Sequence, residues 1–397
     1  MLSDNNILIA QGGGPTNVIN SSLAGIIKEA KKKKFNIVGS LNGVNGVINS
    51  KFISLNNFSN DDLKILANTT GAALGSTRDK PDEKYCLEIL KVLTKKKINK
   101  FFYIGGNDSS DSLKIISEKS QQIKNPIQCV HVPKTIDNDL VKNDHTPGFG
   151  SAAKYVSLLF SGINFDVKSL PGVYLGIIMG RHAGFLTAAT TLLKQRKSDG
   201  PNLVFIPEVP FSINKFLTLI DYHYKKNGKC IVAISEGIQD ENNKLFSEKI
   251  KKTNEYDAHG NIQLSGSGFL GDHLANQIRT KLKISRVRAD TLGYPQRSFP
   301  GSTSEVDLKE AFEIGINSVR FSCLNQNSFS VGIKERKIFS SKYYAEYKIN
   351  KLSEVAGKTK KMPKNFFNTK EFYVSKNFID YALPLIGKKI PKTFSII

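Results

Sequence analysis

Residues 133–139 read PKTIDND, which places one lysine, one threonine and two aspartates on a single short stretch. A carboxylate positioned to accept a proton is a general base, and a second one two residues on can orient an acceptor or face a metal ion; Asp137 and Asp139 supply such a pair. Lys134 adds a cation three residues before Asp137, which suits an anionic substrate. Arg181, in MGRHAG, carries a permanent charge and a planar fork that matches phosphate oxygens. GGG at 12–14 and GGNDS at 105–109 put glycines where backbone N–H groups can approach a phosphate, and Asn107, Asp108 and Ser109 offer oxygens on the metal side. Glu236, in SEG, can accept hydrogen bonds from sugar hydroxyls. Each feature alone also has an ordinary reading. PKTIDND fits a solvated turn, Arg181 fits a structural salt bridge, and GGG fits any tight strand-to-helix turn. GGG also fails both the dinucleotide and the Walker A patterns.

The hydrophobic pattern places these residues at strand ends. Apolar runs beginning near residues 101, 127, 173, 202 and 230 each stop at a polar or phosphate-friendly loop and lead into helical patterns. That is α/β organisation of the doubly wound, Rossmann-like kind, with ligands at the carboxyl ends of the strands. The opening is strand 6–10, the glycine turn, and a helix over 18–33, followed by a strand over 35–39. Further helices are expected over 84–97, 110–119, 148–165, 185–193, 214–226, 268–283 and 304–325. Residues 239–263 read as a surface excursion, with His259 as a loop residue, and His182 reads as structural.

A chain of 397 residues with 40% hydrophobic content can bury two cores, so two domains are expected. No apolar run reaches the roughly 18 residues of a membrane span, and the first residues lack the basic region of a signal peptide. Four widely spaced cysteines form no zinc pattern and read as buried free thiols. The net charge of +22 raises nucleic-acid binding as a rival reading. The lysines, however, come in short scattered clusters, several of them late in predicted helices, where cations suit the dipole.

PKTIDND resembles the phosphofructokinase family, and the variant with Lys134 resembles its pyrophosphate-using branch. The resemblance recurs in order at GGG, GSTR (75–78), GGNDS, MGRHAG, SEG and LGYPQR (292–297), and spans about residues 5–320. It implies two α/β domains with the active site between them. Residues 1–147, completed by about 298–325, would bind the donor, 148–297 would bind the sugar phosphate, and 326–397 would be a basic packing extension. It also implies phosphorylation of fructose 6-phosphate by pyrophosphate with Mg²⁺, in a cytoplasmic homo-oligomer (dimer or tetramer) with no nucleic acid or membrane partner. The roles carried over are Asp137 as base and Lys134, Asp108 and Arg181 at the transferring group. Gly12, Gly13, Arg78 and Ser109 would hold the donor. Thr135, Ile136, Asp139, Met179, Gly180, Arg181, Glu236, Arg288, Tyr294 and Arg297 would line the sugar site, with Arg288 reaching a neighbouring subunit. Asn107 would stand at the metal, although the ATP-using members carry Asp-Gly where this chain has Asn107-Asp108. A cross-subunit arginine expected nine residues before Arg181 is Gly172 here.

Overall fold

A computed structural model describes residues 5–123, 126–250, 268–336, 343–387 and 393. His259 and most of the expected surface excursion lie outside the described residues. The chain divides into two compact bodies, one of residues 1–136, 140–151 and 297–360, the other of 137–139, 152–296 and 361–397. The strands in chain order are β1 (Asn6–Gln11), β2 (Asn36–Ser40), β3 (Phe52–Ser54), β4 (Lys100–Gly105) and β5 (Gln128–Pro133). Next come β6 (Val173–Ile178), β7 (Leu203–Phe205), β8 (Cys230–Ser235) and β9 (Val287–Thr291), then β10 (Phe329–Ile333) and β11 (Tyr347–Asn350).

The first body holds a sheet in the order β11-β10-β5-β4-β1-β2-β3, parallel except at its two edges. Its strands read as near-continuous apolar runs because helices cover both faces. Ile7, Ile9, Phe102, Ile104, Val130 and Val132 enter one core, while Leu8, Ala10, Phe101, Tyr103 and Cys129 enter the other. The chain leaves β1 toward β2 and returns on the opposite side at β4, so the order reverses between β1 and β4, where ligands bind in such sheets.

The second body holds the all-parallel sheet β7-β8-β6-β9, with β6 and β8 buried throughout. β6 lies between β8 and β9, which brings the ends of all three together. The helix expected over 185–193 stops at Ala189. Thr190 and Thr191 donate their hydroxyls to the Thr187 and Ala188 carbonyls, at 2.7 and 2.8 Å, and this local bonding competes with further helix.

Residues 326–397, read as an appendage, divide between the bodies. β10 continues the first sheet beside β5, and residues 361–387 pack in the second body. Three cysteines are buried as expected, but Cys323 is exposed. Lys31 and Lys32 close the helix Ile19–Lys32, Lys95 closes Glu83–Lys95, and Lys225 and Lys226 close Ile213–Asn227, each complementing a helix C-terminus.

A buried ionic network sits just past the IDND stretch in the first body. His145 contacts Asp144 at 2.8 Å through Nδ1 and Glu310 at 2.6 Å through Nε2. Arg336 pairs with Asp144 at 2.7 Å, and Tyr343 donates its hydroxyl to Glu310. Burial alone would lower the imidazole pKa, but the two carboxylates outweigh it and raise it to about 9. Burial would raise Asp144, yet His145 and Arg336 hold it well below the usual carboxylate range. His145→Ala leaves two buried carboxylates short of their cation and is expected to destabilise this body by about 3–5 kcal/mol in urea unfolding at pH 6.5. Because the folded pKa lies above the unfolded one, the His145 contribution is complete below about pH 6.5 and is lost as pH rises through about 9. The difference between wild type and variant should therefore shrink when the same unfolding curve is taken near pH 9.5.

Candidate active site

In the first body the strand ends bring the glycine turns together into a candidate phosphate cradle. Gly12 N donates to the Ile104 carbonyl at 2.9 Å, which ties the end of β1 to that of β4. A Cβ on Gly12 would run into the Tyr103 hydroxyl, so only glycine lets this turn lie so close. Gly13 turns with φ +75°, its N–H bound to the Thr77 carbonyl at 2.9 Å and its carbonyl to Ser76 Oγ at 2.6 Å. The turn and the GSTR loop thus brace each other, with Arg78 exposed on that loop.

Lys134 is the cation of the cradle. Its N–H is bound to the Gly105 carbonyl at 2.9 Å, and Nζ donates to the Gly14 carbonyl at 2.8 Å with the residue only 3% exposed. His131 on β5 also holds the Gly105 carbonyl, through Nε2 at 3.0 Å, and burial pushes its pKa down to about 4, so it works as a neutral donor. Asp108 lies exposed in the first turn of the helix Asn107–Ser120, and Ser109 is buried beneath it. Its ion pair is with Lys80 at 3.5 Å, a residue the sequence reading passed over, and not with Lys134. Thr135 bridges to Gly148, whose N–H is held by the buried Asp307 at 2.9 Å. Burial pushes Asp307 up to about 6 against the hydrogen bonds of Ser151 and Gly148. Ile136, buried, ends the segment. Arg297 also belongs here: its guanidinium lies against Gly14, where a Cβ would sit 3.0 Å from Nε.

In the second body, Asp137 is half-buried, and Asn138 and Asp139 are buried. Met179, Gly180 and Arg181 follow β6. The Gly180 carbonyl accepts from Ser235 Oγ at 2.5 Å, and Met179 N donates to Gln296 Oε1 at 3.2 Å. A Cβ on Gly237 would strike the Arg181 carbonyl, which explains glycine at the third position of SEG. Glu236, 8% exposed, is tied back to β6 through its N–H to the Ile178 carbonyl at 2.8 Å. Arg181 is half-buried, while His182, Tyr294 and Arg288 are exposed, the last on the sheet-edge strand β9. Gly172 packs under Arg286, where a Cβ would meet the Arg286 carbonyl at 2.7 Å.

Among the described residues no group of three or more His, Cys, Asp or Glu side chains could hold a metal ion. The oxygens of Asn107 and Asp108, in the first turn of the helix Asn107–Ser120, are of the kind an ion such as Mg²⁺ would take as one or two protein ligands.

Phosphate-friendly turns and fixed cations at the carboxyl ends of parallel strands define a doubly wound α/β protein built for phosphorylated ligands. The family model for Phosphofructokinase matches residues 6–322, and the chain belongs to the phosphofructokinase family. It is 46% identical over 392 residues, covering 98% of this chain and 96% of its relative, to a pyrophosphate–fructose 6-phosphate 1-phosphotransferase of Rhodospirillum rubrum. It is 33% identical, over 99% of this chain and 94% of the relative, to the enzyme of that name from Xanthomonas campestris pv. campestris. A crystal structure of the pyrophosphate-dependent phosphofructokinase from Nitrosospira multiformis superposes with a TM-score of 0.86 at 31% identity, covering 99% of this chain and 95% of that one.

Proposed function

We propose that this protein transfers a phosphoryl group from pyrophosphate to the 1-hydroxyl of fructose 6-phosphate, reversibly, in the cytoplasm and as a homo-oligomer. The observation that carries this reading is the buried Lys134 ammonium, fixed on the Gly14 carbonyl inside a cradle of glycine turns. It places a lysine side chain where a small polyanionic donor would sit.

Phosphoryl transfer needs alignment and charge neutralisation more than covalent help from the protein. Asp137 accepts the proton of the sugar 1-hydroxyl as that oxygen bonds to the terminal phosphorus; the bridging P–O bond breaks and inorganic phosphate leaves. Lys134 and Arg181 stabilise the charge that builds on the transferring group. Gly12, Gly13, Arg78 and Ser109 hold the donor. Thr135 orients the acceptor together with Ile136, Asp139, Met179, Gly180 and Glu236. Bound Mg²⁺ supplies neutralisation of donor oxygens, with the Asn107-Asp108 turn offering the protein ligand. Tyr294 and Arg297 bind the sugar 6-phosphate, and Arg288, exposed on an edge strand, reaches a neighbouring subunit.

A coupled assay crossing two donors, pyrophosphate and ATP, with two acceptors, fructose 6-phosphate and sedoheptulose 7-phosphate, tests the reading. Turnover is expected with pyrophosphate and fructose 6-phosphate; tight RNA retention at moderate salt without phosphotransfer would replace it with a nucleic-acid function.

Arg297→Ala is expected to raise KM for fructose 6-phosphate with little change in kcat, because a contact to a remote phosphate acts equally in ground and transition states. Its position against Gly14 gives the assay a specific second outcome. A collapse of kcat at unchanged KM would assign Arg297 to the transferring phosphoryl group instead.

A further inference from the structure

The functional reading makes no use of residues 361–387, yet two contacts from this segment hold loops to which it assigns chemistry. Tyr381, on the helix Lys376–Ala382, accepts a hydrogen bond from Asn138 Nδ2 at 2.8 Å. Asn138 is fully buried and Tyr381 is 3% exposed. Asn138 stands between Asp137 and Asp139 with φ +58°, a left-handed conformation that asparagine tolerates but that needs local support. The Tyr381 ring is itself fixed, packed against Phe366, Phe185 and Phe378 with centroids 5.0, 6.2 and 6.3 Å away.

The second contact runs through Glu208, a half-buried carboxylate raised in pKa by desolvation against the hydrogen bonds of Met362 and Gly184. Glu208 Oε1 accepts from Met362 N at 2.9 Å, and both carboxylate oxygens accept from Gly184 N at 3.0 and 3.1 Å. Gly184 closes the loop that carries Arg181.

We propose that the C-terminal segment is a positioning strap for phosphoryl transfer: Tyr381 fixes the Asp137–Asp139 loop through Asn138, and Met362 fixes the Arg181 loop through Glu208. The proposal rests on the reading of Asp137 as base and Arg181 as phosphoryl clamp. Tyr381 and Glu208 are positioning residues, acting through Asn138 and Gly184. Their effect follows from the sensitivity of in-line transfer to placement, since a shift of about 1 Å can lower a rate roughly 100-fold. A phenol suits the task because it joins a rigid, well-packed ring to one polar atom.

Tyr381→Phe removes that atom and keeps the ring. It is expected to lower kcat about tenfold while KM for both substrates stays within about twofold. Amide exchange should quicken at residues 137–139, with the exchange of β6 and β8 unchanged. Glu208→Ala should lower kcat similarly and quicken exchange at 182–184 and 362; Glu208→Gln, which keeps one acceptor oxygen, should retain more activity than the alanine variant. A lower Tm with kcat intact in Tyr381→Phe and Glu208→Ala would make the contacts merely structural and overturn the proposal. So would unchanged exchange in those loops. Should the wild-type enzyme not turn over pyrophosphate and fructose 6-phosphate, the functional reading fails on its own, and the exchange measurement still decides whether the strap holds these loops.

Discussion

Asp137→Asn is expected to lower kcat by about 10²–10⁴-fold in both reaction directions, with KM for the sugar phosphate and the unfolding midpoint nearly unchanged. The amide keeps the size of the carboxylate and its place in the loop, but it cannot take the proton of the attacking hydroxyl. The scaffold around it favours a clean test. The neighbouring Asn138 is anchored on Tyr381, a support that does not depend on the Asp137 side chain, so the loop is expected to keep its shape in the variant. Steady-state kinetics with pyrophosphate, paired with an unfolding curve, measures both halves of the expectation. A variant with near wild-type kcat would remove Asp137 from the role of base and leave Asp139 as the remaining carboxylate of the pair.

The parts of this protein that were legible in its sequence share a physical cause. Parallel strands buried on both faces must be apolar throughout, so β4, β5, β6 and β8 stood out as runs, and the polar residues at their ends marked the ligand side. Arg181 and Lys134 were visible because they follow such runs directly. What escaped was decided by contacts between distant parts of the chain. Asn138 and Tyr381 lie 243 residues apart, and neither residue type announces the other. Glu208 carries no motif of its own, and only its bonds to Gly184 and Met362 tie it to the Arg181 loop. Lys80 was one lysine among many until Asp108 was found beside it. The short strand β10 was missed because its partner, β5, lies some two hundred positions earlier, and pairing rather than propensity defines it. The helix after Arg181 was drawn too long because threonine hydroxyls, not apolar spacing, end it.

The donor preference is the second large expected effect, and the proposed function assigns it to Asp108 and Lys134. In the ATP-using members that the sequence resembles, glycine occupies both matching positions, which leaves room for the α-phosphate of a nucleotide. Here Asp108 lies exposed in the first turn of its helix, and under the proposed function its carboxylate would add bulk and negative charge to that space. Two roles are possible for such a pair, a donor filter or a salt bridge bracing two loops. The ion pair of Asp108 is with Lys80, and Lys134 is bonded to the Gly14 carbonyl, so the two side chains do not form that bridge with each other. A like charge held close to a phosphate can cost several kcal/mol, which is a preference of about 10³-fold between donors. Wild-type kcat/KM is therefore expected to favour pyrophosphate over ATP by about that factor. Asp108→Gly should admit measurable ATP turnover, since it removes both the bulk and the charge. Lys134→Gly should instead damage the pyrophosphate reaction, because it empties the cradle of its buried cation while leaving the glycine turns in place. Parallel assays of the three proteins with each donor separate these effects. A wild-type enzyme that prefers ATP would sink the donor assignment and leave the family and its fold untouched, because the proposed filter rests on two side chains and the fold on the buried parallel sheets.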